Sequence, residues 1–566
     1  MKGVTTVERI WLRNYPQGVP HSIDYPHVPL FHLLDEATRK SPQNPAIIYF
    51  GREISYGELD ELSQAFAAAL HELGVRKGDR VSINLPNIPQ FVIAFYGTLR
   101  LGAIVVQTNP MYTERELIEL ITDSGAETMV TLDLLYPRAR AVRAKTGLKR
   151  LILTSVGDFL PPLKRLLYPL KARVEGKHVD LRVRGAEFHN FSGLLRRGRG
   201  RRPPEVELDP EEDIAILQYT GGTTGTPKGA MLTHKNLVAN VFQSRSWYLR
   251  AEEGKERILA VLPFFHVYGM TVAMNMAIAL ASTMILLPRF QIDEVLKTIN
   301  EYQPTIFPGA PTIYVAFNSH PQIKRYKVDS IKECISGSAP LPVEVKRRFE
   351  ELTGGRLVEG YGLSEASPVT HCNPLDGRDI PGSIGLPFPD TEAKIVDLQT
   401  GEELEVGQVG ELVVRGPQVM KGYWNRPEET AQALKGGWLH TGDIAKMDEQ
   451  GYFYIVDRAK DMIIASGYNV YPREVEEVIY QHPKVAEVAV IGVPDPYRGE
   501  TVKAFIVPRA GEELNEEEII HFCREHLAAY KVPKLIEFRE TLPKSAVGKV
   551  LKRELRQEEL QKEAQG

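Results

Sequence analysis

The feature that most constrains the fold is an alternation of amphipathic helical stretches and short apolar strands between residues 31 and 135. Residues 58–73 and 90–101 carry apolar side chains at helical spacing, whereas residues 80–85 and 103–106 are short apolar runs typical of buried strands. Such an alternation predicts an α/β fold with largely parallel sheets. Because 566 residues exceed what one hydrophobic core supports, we expect at least two domains.

The pattern changes after residue 451, where short strands and two helices follow in a different order. We predict strands at 452–456, 486–493, 501–508 and 534–538, helices at 473–481 and 515–529, and a charged connector at 457–460. This order is typical of a small α+β unit. The sequence therefore predicts a large N-terminal domain of packed α/β subdomains, residues 1–457, and a small C-terminal domain, residues 458–566.

Composition excludes several classes of protein. Lys and Arg number 69 against 73 Asp and Glu, so the net charge of -4 gives no electrostatic reason to expect nucleic-acid binding. Three widely separated cysteines, Cys334, Cys372 and Cys523, indicate neither a disulfide framework nor a zinc site. The first twenty residues contain no apolar signal-peptide core, which favours a cytoplasmic location. The apolar run 271–287 predicts a buried helix leading into a buried strand rather than a membrane span.

A loop rich in glycine and threonine follows the apolar strand predicted at 214–217. It reads Tyr219-Thr220-Gly221-Gly222-Thr223-Thr224-Gly225-Thr226-Pro227-Lys228-Gly229. Glycines let backbone N–H groups converge on phosphate, hydroxyls add donors, and Lys228 adds positive charge. The pattern indicates a phosphate loop, but the absence of a Gly-Lys-Ser/Thr sequence disfavours a P-loop NTPase.

This loop resembles the signature of the adenylate-forming superfamily, which includes acyl-CoA synthetases, luciferases and the adenylation domains of peptide synthetases. Further motifs resembling those of this superfamily follow in order, so that the resemblance covers residues 55–553. They are Ser336-Gly337-Ser338-Ala339-Pro340-Leu341, Glu359-Gly360-Tyr361-Gly362-Leu363-Ser364-Glu365, Gly437-Trp438-Leu439-His440-Thr441-Gly442-Asp443, Asp457-Arg458-Ala459-Lys460-Asp461 and Pro543-Lys544-Ser545-Ala546-Val547-Gly548-Lys549.

The resemblance implies three ligands, ATP, Mg²⁺ and CoA, and a C-terminal domain that moves about the 457–460 hinge. Glu365, Lys549 and His266 are the implied catalytic residues, and Thr220 and Glu365 the implied metal ligands. The implied contacts to nucleotide and CoA are Thr220, Gly221, Gly222, Thr223, Thr224, Gly225, Lys228, Ser338, Ala339, Pro340, Glu359, Gly360, Tyr361, Gly362, Ser364, Asp443, Arg458, Gly467 and Tyr468.

The chemistry of individual residues supports these roles, although each also has a structural interpretation. Tyr361 between two glycines suits a planar base, and Glu365 offers a hard oxygen for Mg²⁺; alternatively, Tyr361 is a core residue and Glu365 a helix N-terminal charge. One carboxylate can accept both ribose hydroxyls at Asp443, which is otherwise a turn residue. Lys549 can stabilise charge that develops at phosphate, or can be a solvated turn residue.

The aromatic passage 262–270 resembles the wall of an acyl pocket, with His266 near the carboxylate. His266 alternatively is a satisfied core histidine. Small residues were expected to leave room for an acyl chain, namely Gly269, Gly309, Ala310 and Gly337. Residues 438–474 most resemble a long-chain fatty acid:CoA ligase, which forms acyl-CoA, AMP and diphosphate. Alternatives are an aryl-acid ligase of the coumarate type, a carrier-protein-loading adenylation enzyme, a luciferase-like oxygenase and a non-catalytic nucleotide-binding homologue.

Residues 159–202 contain twelve Lys and Arg but only three acidic residues. One interpretation is a solvated insertion loop. The other is a peripheral contact with anionic lipid at the inner membrane face, because Phe159, several leucines and Tyr168 are interspersed with the cations. A homodimer is a further hypothesis.

Overall fold

The protein divides into two compact units, each built around its own sheets. The structure, a computed structural model, describes residues 9–174, 187–220, 227–458, 461–465, 468–495, 499–545 and 548–565. The large unit comprises Asn14–Glu392 and Arg415–Leu439, and the small unit comprises Met1–Arg13, Ala393–Val414 and His440–Gly566. These two units are defined by their compactness alone. The predicted domain boundary at residues 457/458 marks the position of a hinge, and it therefore stays a prediction.

The strands are short, as expected for sheets punctuated by glycine and proline. In chain order they are β1 Pro45–Tyr49, β2 Arg52–Ser55, β3 Arg80–Asn84, β4 Ile104–Gln107, β5 Thr128–Leu132, β6 Arg150–Thr154, β7 Phe188–Asn190, β8 Ile214–Thr220, β9 Lys228–Thr233, β10 Arg257–Ala260, β11 Thr283–Leu286, β12 Glu333–Ser336, β13 Arg356–Gly362, β14 Val369–Cys372, β15 Leu386–Pro387, β16 Glu392–Val396, β17 Gly410–Arg415, β18 Gly422–Tyr423, β19 Leu439–Met447, β20 Phe453–Arg458, β21 Ile463–Ala465, β22 Tyr468–Val470, β23 Val485–Asp495, β24 Gly499–Pro508 and β25 Leu535–Phe538.

Helices connect most of these strands. They are α1 His32–Lys40, α2 Tyr56–Glu72, α3 Pro89–Arg100, α4 Glu114–Ser124, α5 Tyr136–Arg143, α6 Pro162–Val174, α7 Phe191–Gly198, α8 His234–Trp247, α9 Val267–Gly269, α10 Met276–Ala279, α11 Ile292–Tyr302, α12 Pro311–Asn318, α13 Val343–Thr353, α14 Pro427–Ala433, α15 Pro472–Tyr480, α16 Glu516–His526 and α17 Lys552–Gln565. Single 3-10 turns occupy Ile10–Asn14, Asp133–Leu135, Val156–Phe159, Ile323–Arg325, Ser364–Ala366 and Lys435–Gly437, and Met270–Asn275 is a π-helix.

The large unit is an α/β structure, as the sequence predicts. Its widest sheet has the strand order β18-β9-β8-β4-β3-β5-β6-β7, in which β3 pairs in parallel with both β4 and β5. Two further four-stranded sheets have the orders β10-β11-β1-β2 and β12-β13-β14-β15. Because α3 is buried along nearly its whole length, its sequence is almost wholly apolar, whereas the partly exposed α2 is amphipathic.

The small unit contains the sheets β16-β17-β19-β20 and β22-β21-β24-β23, and β25 extends the second by pairing with β24. The predicted α+β pattern is confirmed here, with two differences. Asp457 and Arg458 belong to β20 rather than to a connector, and the Asp457 carboxylate accepts a hydrogen bond from the backbone N–H of Arg473, 2.8 Å away at the start of α15. Helix α16 ends at His526, three residues earlier than predicted.

The apolar run 271–287 is buried inside the large unit. It forms most of the π-helix, then α10 and then β11, so the prediction of a buried helix leading into a buried strand is confirmed. Within the described ranges no helix combines the length and the hydropathy needed to cross a bilayer. The described part of the basic segment 159–202 is not a simple loop, because residues 162–174 and 191–198 are helical.

Candidate active site

The predicted phosphate loop connects two paired strands, β8 and β9. These strands pair antiparallel, and Thr220 lies opposite Lys228 in the last pair of the ladder. The residues at the tip, Gly221, Gly222, Thr223, Thr224 and Gly225, lie outside the described residues. Both Thr220 and Lys228 are half-buried. The ladder therefore places Thr220 and Lys228 beside each other where the two strands end.

The base of this hairpin is anchored by Asp123. The Tyr219 hydroxyl donates to its carboxylate at 2.7 Å, Arg426 pairs with the same carboxylate at 2.8 Å, and the Trp424 indole donates to its backbone oxygen at 3.2 Å. Burial, together with the neighbouring Asp123 carboxylate, raises the pKa of Tyr219, so that this hydroxyl remains a donor. Tyr219 thus fixes the hairpin and is not directed toward a ligand.

Tyr423 links the phosphate-loop hairpin to the predicted acidic ligand. It lies in the two-residue strand β18, opposite Ala230 of β9. Its hydroxyl donates to Oε1 of Glu365 at 2.8 Å, and the ammonium of Lys228 lies 5.3 Å from its ring centroid. Burial is the main reason that the pKa of Tyr423 is raised, with the Glu365 carboxylate second. We did not predict this residue, because no local pattern marks a tyrosine almost two hundred positions after the loop.

Glu365 reaches the hairpin from the end of β13. The 3-10 turn that contains Ser364 and Glu365 contacts both β8 and β9. The backbone oxygen of Glu365 also accepts a hydrogen bond from Met420 N at 2.8 Å. The large unit therefore brings together Thr220, Lys228, Ser364 and Glu365, as required if they share one nucleotide.

The oxygen atoms at this position suit Mg²⁺ bound through a nucleotide. Mg²⁺ prefers hard oxygen ligands and usually takes one or two carboxylates, with phosphates and water completing its shell. Glu365 offers the carboxylate, and Thr220 offers a hydroxyl. In the part of the chain that the structure describes, no group of three or more His, Cys, Asp and Glu side chains could hold a metal by itself. Phosphate oxygens would therefore supply the other ligands.

The predicted adenine-side loop is tied to the central motif by Glu359. Strands β12 and β13 pair in parallel with Ser336 beside Glu359, and the buried Glu359 carboxylate accepts a hydrogen bond from Leu341 N at 3.1 Å. Ser338 has a positive φ of 72°, which turns the loop sharply after Gly337. Ser338 and Ala339 are half-buried and Pro340 is exposed, so this loop is accessible.

Tyr361 is half-buried rather than a core residue, and its ring meets that of His371 edge-on at 5.9 Å. The flanking glycines serve the packing of the protein itself. A Cβ atom at Gly360 would lie 2.8 Å from Ile335, and one at Gly362 would lie 2.2 Å from the carbonyl oxygen of Pro368. The glycines thus let β13 approach its neighbours closely and leave Tyr361 near the surface.

His266 is half-buried and caps the short helix α9, since its Nδ1 accepts a hydrogen bond from Tyr268 N at 3.3 Å. Tyrosine rings fill the space that two small residues were expected to leave. A Cβ atom at Gly337 would lie 3.0 Å from the ring of Tyr268, and one at Gly309 would lie 2.8 Å from the ring of Tyr314. An acyl chain that passed these glycines would therefore have to displace a tyrosine.

In the small unit, Asp443 on β19 lies opposite Arg458 on β20. Glu411 holds the preceding turn, because its two carboxylate oxygens contact His440 Nδ1 at 2.8 Å and Gly442 N at 3.0 Å. The structure therefore brings together the two residues predicted to bind ribose.

Lys549 follows a tight turn in the same unit. The backbone N–H of Lys549 donates to the Ser545 hydroxyl at 3.2 Å, and Ser545 N donates to the carbonyl oxygen of Lys549 at 2.8 Å. Gly548 has a φ of 78°, which glycine adopts without strain. Tyr468 begins β22, and Gly467 before it lies outside the described residues.

These features define an adenylate-forming enzyme. The model of the AMP-binding enzyme family matches residues 34–424, and the model of the AMP-binding enzyme C-terminal domain matches residues 474–549. The chain belongs to this family.

The similarity to individual relatives extends over almost the whole chain. The chain is 50% identical over 552 residues to a long-chain-fatty-acid–CoA ligase of Bacillus subtilis (strain 168), and 42% identical over 557 residues to one of Escherichia coli O157:H7. Each alignment covers 98% of both chains. Among solved structures, the anthranilate CoA ligase AuaEII in complex with anthranoyl-AMP is similar, with a TM-score of 0.83 and 27% identity over 95% of this chain and 98% of that one.

The contact between Tyr423 and Glu365 leads to a prediction about metal dependence. Tyr423→Phe removes the hydroxyl that fixes one carboxylate oxygen, so we expect the Mg²⁺ concentration for half-maximal adenylation to rise about tenfold. Tyr15→Phe is the matched control, because its hydroxyl donates to Pro387 O and its loss should leave the Mg²⁺ dependence unchanged. A Tyr423→Phe enzyme with a lower rate but the same Mg²⁺ dependence would contradict the assignment.

Proposed function

We propose that this enzyme is a fatty acid:CoA ligase that converts a long- or medium-chain acid, ATP and CoA into acyl-CoA, AMP and diphosphate. The observation that carries the proposal is the convergence of Thr220, Lys228 and Glu365 around one hairpin turn. Similarity along the full chain to long-chain-fatty-acid–CoA ligases supports the choice of substrate.

The chemistry explains why an adenylate is needed. Direct thioester formation would expel hydroxide, the conjugate base of water with a pKa of about 15.7. In the first step a carboxylate oxygen attacks the α-phosphorus of ATP, and the bond to diphosphate breaks. In the second step the CoA sulfur attacks the acyl carbonyl, the thiol proton is lost, and AMP leaves with the electron pair of the acyl–oxygen bond. The second step is easier because a phosphate monoester is a good leaving group, with a second pKa of about 6.

Residues of the large unit bind and orient ATP in this proposal. Residues 220–228 and Ser364 would contact the phosphates, while Thr220 and Glu365 would hold Mg²⁺, which would neutralise phosphate charge. Tyr361 and the loop of Ser338, Ala339 and Pro340 receive the adenine. His266 lies beside the acid carboxylate.

Residues of the small unit supply the remaining contacts in this proposal. Asp443 and Arg458 bind the ribose, Lys549 stabilises the charge that develops during adenylation, and Gly467 and Tyr468 face CoA.

An aryl-acid ligase of the coumarate type is the second candidate. The similarity to an anthranilate CoA ligase favours it, but at 27% identity against 50% for the fatty-acid ligase. A carrier-protein-loading enzyme remains the third. If the protein is a carrier-protein-loading enzyme, free CoA should fail as the acceptor of the acyl group.

A panel of acids distinguishes these candidates. Diphosphate release from ATP would be measured with acetate, hexanoate, palmitate, coumarate and amino acids, each with and without CoA. We expect the highest kcat/KM with hexanoate or palmitate, and acyl-CoA only when CoA is present. Preference for coumarate would identify the aryl-acid ligase, and adenylation without transfer to free CoA would identify the carrier-loading enzyme. Absence of diphosphate release with every acid would overturn the proposal.

The role of Lys549 predicts that the two half-reactions respond differently to its removal. Lys549→Ala should slow adenylation roughly 10²- to 10³-fold, by analogy with loss of one transition-state donor. Transfer to CoA from preformed acyl-adenylate should be nearly unchanged. The matched control is Lys544→Ala, since Lys544 belongs to the same turn but pairs with Glu487 at 2.6 Å. Equal losses in both half-reactions of Lys549→Ala would contradict this role.

The proposed domains, 1–457 and 458–566, require a hinge between the two half-reactions. We propose that residues 457–460 rotate, withdraw the Lys549 turn after adenylation and present Gly467 and Tyr468 to CoA. Residues 459 and 460 lie outside the described residues. Lys460→Pro restricts the backbone, so adenylation should persist while transfer to CoA falls at least tenfold. Rapid-quench measurement of each half-reaction tests this, with Lys460→Ala as the control. Unimpaired overall turnover of the proline variant would count against the hinge.

A cytoplasmic location, a homodimer and a peripheral membrane contact through residues 159–202 complete the proposal. The cysteines agree with a reducing compartment, because all three are buried and free. Sedimentation velocity of the purified protein tests the dimer.

A further inference from the structure

Helix α6 carries an unusually exposed row of leucines. Leu163, Leu166, Leu167 and Leu170 are 71%, 74%, 51% and 60% exposed. Their spacing of three, one and three residues places them on one face of the helix. Large apolar side chains seldom cluster on the surface of a protein without a binding role. The row, called here the leucine stripe, therefore needs an explanation beyond the packing of the large unit.

Other side chains of the same helix attach it to the large unit. Tyr168 is half-buried, and a Cβ atom at Gly157 would lie 2.5 Å from its ring, so the ring rests directly on that glycine. The ammonium of Lys164 donates to Phe50 O at 2.8 Å. Each residue rotates by about 100° around the helix axis, which places position 168 on the side opposite the four leucines. Tyr168 is therefore directed away from the stripe. The helix is thus fixed with its apolar face in solvent.

Positive charge is concentrated in the sequence segment that contains this helix. Lys164 and Arg165 are exposed on the helix, and Lys171 and Arg173 follow in its sequence. Residues 159–202 contain twelve Lys and Arg but only three acidic residues, although the whole chain has a net charge of -4. Leucines that enter the acyl boundary, flanked by cations that attract anionic headgroups, are typical of helices that lie in a membrane interface.

We propose that the leucine stripe docks this enzyme on an anionic lipid bilayer, with α6 lying in the plane of the interface. Thirteen residues span about 20 Å, which is shorter than the hydrocarbon core of about 30 Å, so the helix rests on the bilayer and does not cross it. This proposal narrows the contact from residues 159–202 to one face of one helix. It does not depend on the proposed reaction, because binding requires no turnover.

Helix α6 and the proposed phosphate loop follow different strands of the widest sheet. Helix α6 follows β6, which is next to the outermost strand of the widest sheet, whereas the turn follows β8. Four strand spacings separate β6 from β8, or about 19 Å. The stripe and the proposed ATP contacts therefore follow strands that lie well apart in the sheet.

Co-sedimentation of the full-length enzyme with vesicles tests the proposal. Vesicles of phosphatidylcholine containing phosphatidylglycerol should bind it, and vesicles of phosphatidylcholine alone should bind it at least tenfold more weakly. Leu166→Glu/Leu170→Glu should lower binding to the anionic vesicles by at least tenfold, because two anions replace two apolar groups that would enter the lipid. Arg165→Gln/Lys171→Gln should lower it roughly tenfold through the loss of two cations.

The matched control places the same charge change on other exposed leucines. Leu398 and Leu560 are 51% and 56% exposed, so Leu398→Glu/Leu560→Glu should bind vesicles like the wild type. Diphosphate release with the soluble acid hexanoate and circular dichroism check that every variant is folded. Equal losses in the stripe and control variants, or equal binding to neutral and anionic vesicles, would overturn the proposal. So would a lipid-free dimer that the stripe variant alone abolishes, since a second copy would then occupy the stripe.

Discussion

The arrangement of the nucleotide site depends on the hydrogen bond from the Tyr423 hydroxyl to Glu365. Strand β18 holds Tyr423 against β9, and the ladder between β8 and β9 sets the distance from Thr220 to Lys228. A carboxylate, an ammonium and a hydroxyl are thereby positioned before a ligand arrives. Preorganised charges are effective because little reorganisation is needed when charge develops in the reaction.

In the proposed function, the catalytic groups are divided between the two units. Adenylation and thioester formation act on the same carbonyl carbon but need different groups beside it. The proposed phosphate contacts belong to a sheet of the large unit, whereas Lys549 belongs to the small unit. A catalytic group on a separate compact unit can be exchanged without disturbing the ladder to which the proposal assigns ATP. That separation is the physical basis for proposing a hinge.

The sequence alone predicted the structural features that depend on local residue patterns. Helical and strand periodicity predicted the α/β sheet, and the apolar run 214–217 predicted the strand that precedes the Gly/Thr loop. Tertiary packing determined the rest. Tyr423 is distant in sequence and acts through pairing with β9, and Tyr268 fills the space beside Gly337. Asp457 belongs to β20, and its carboxylate accepts a hydrogen bond from Arg473 N of α15. Charge and residue size alone do not show which neighbour a side chain will meet.

The leucine stripe connects the proposed substrate with the shape of the large unit. A long-chain acid partitions into lipid, since each buried CH₂ contributes about 0.8 kcal/mol, whereas ATP and CoA stay in water. An enzyme acting on both must work at their boundary. A short helix attached through Tyr168 and Lys164 can enter that boundary without unfolding, because its leucines contribute little to the core. In this proposal the sheet edge near β7 meets lipid, while the opposite edge, near β18, carries the proposed nucleotide site.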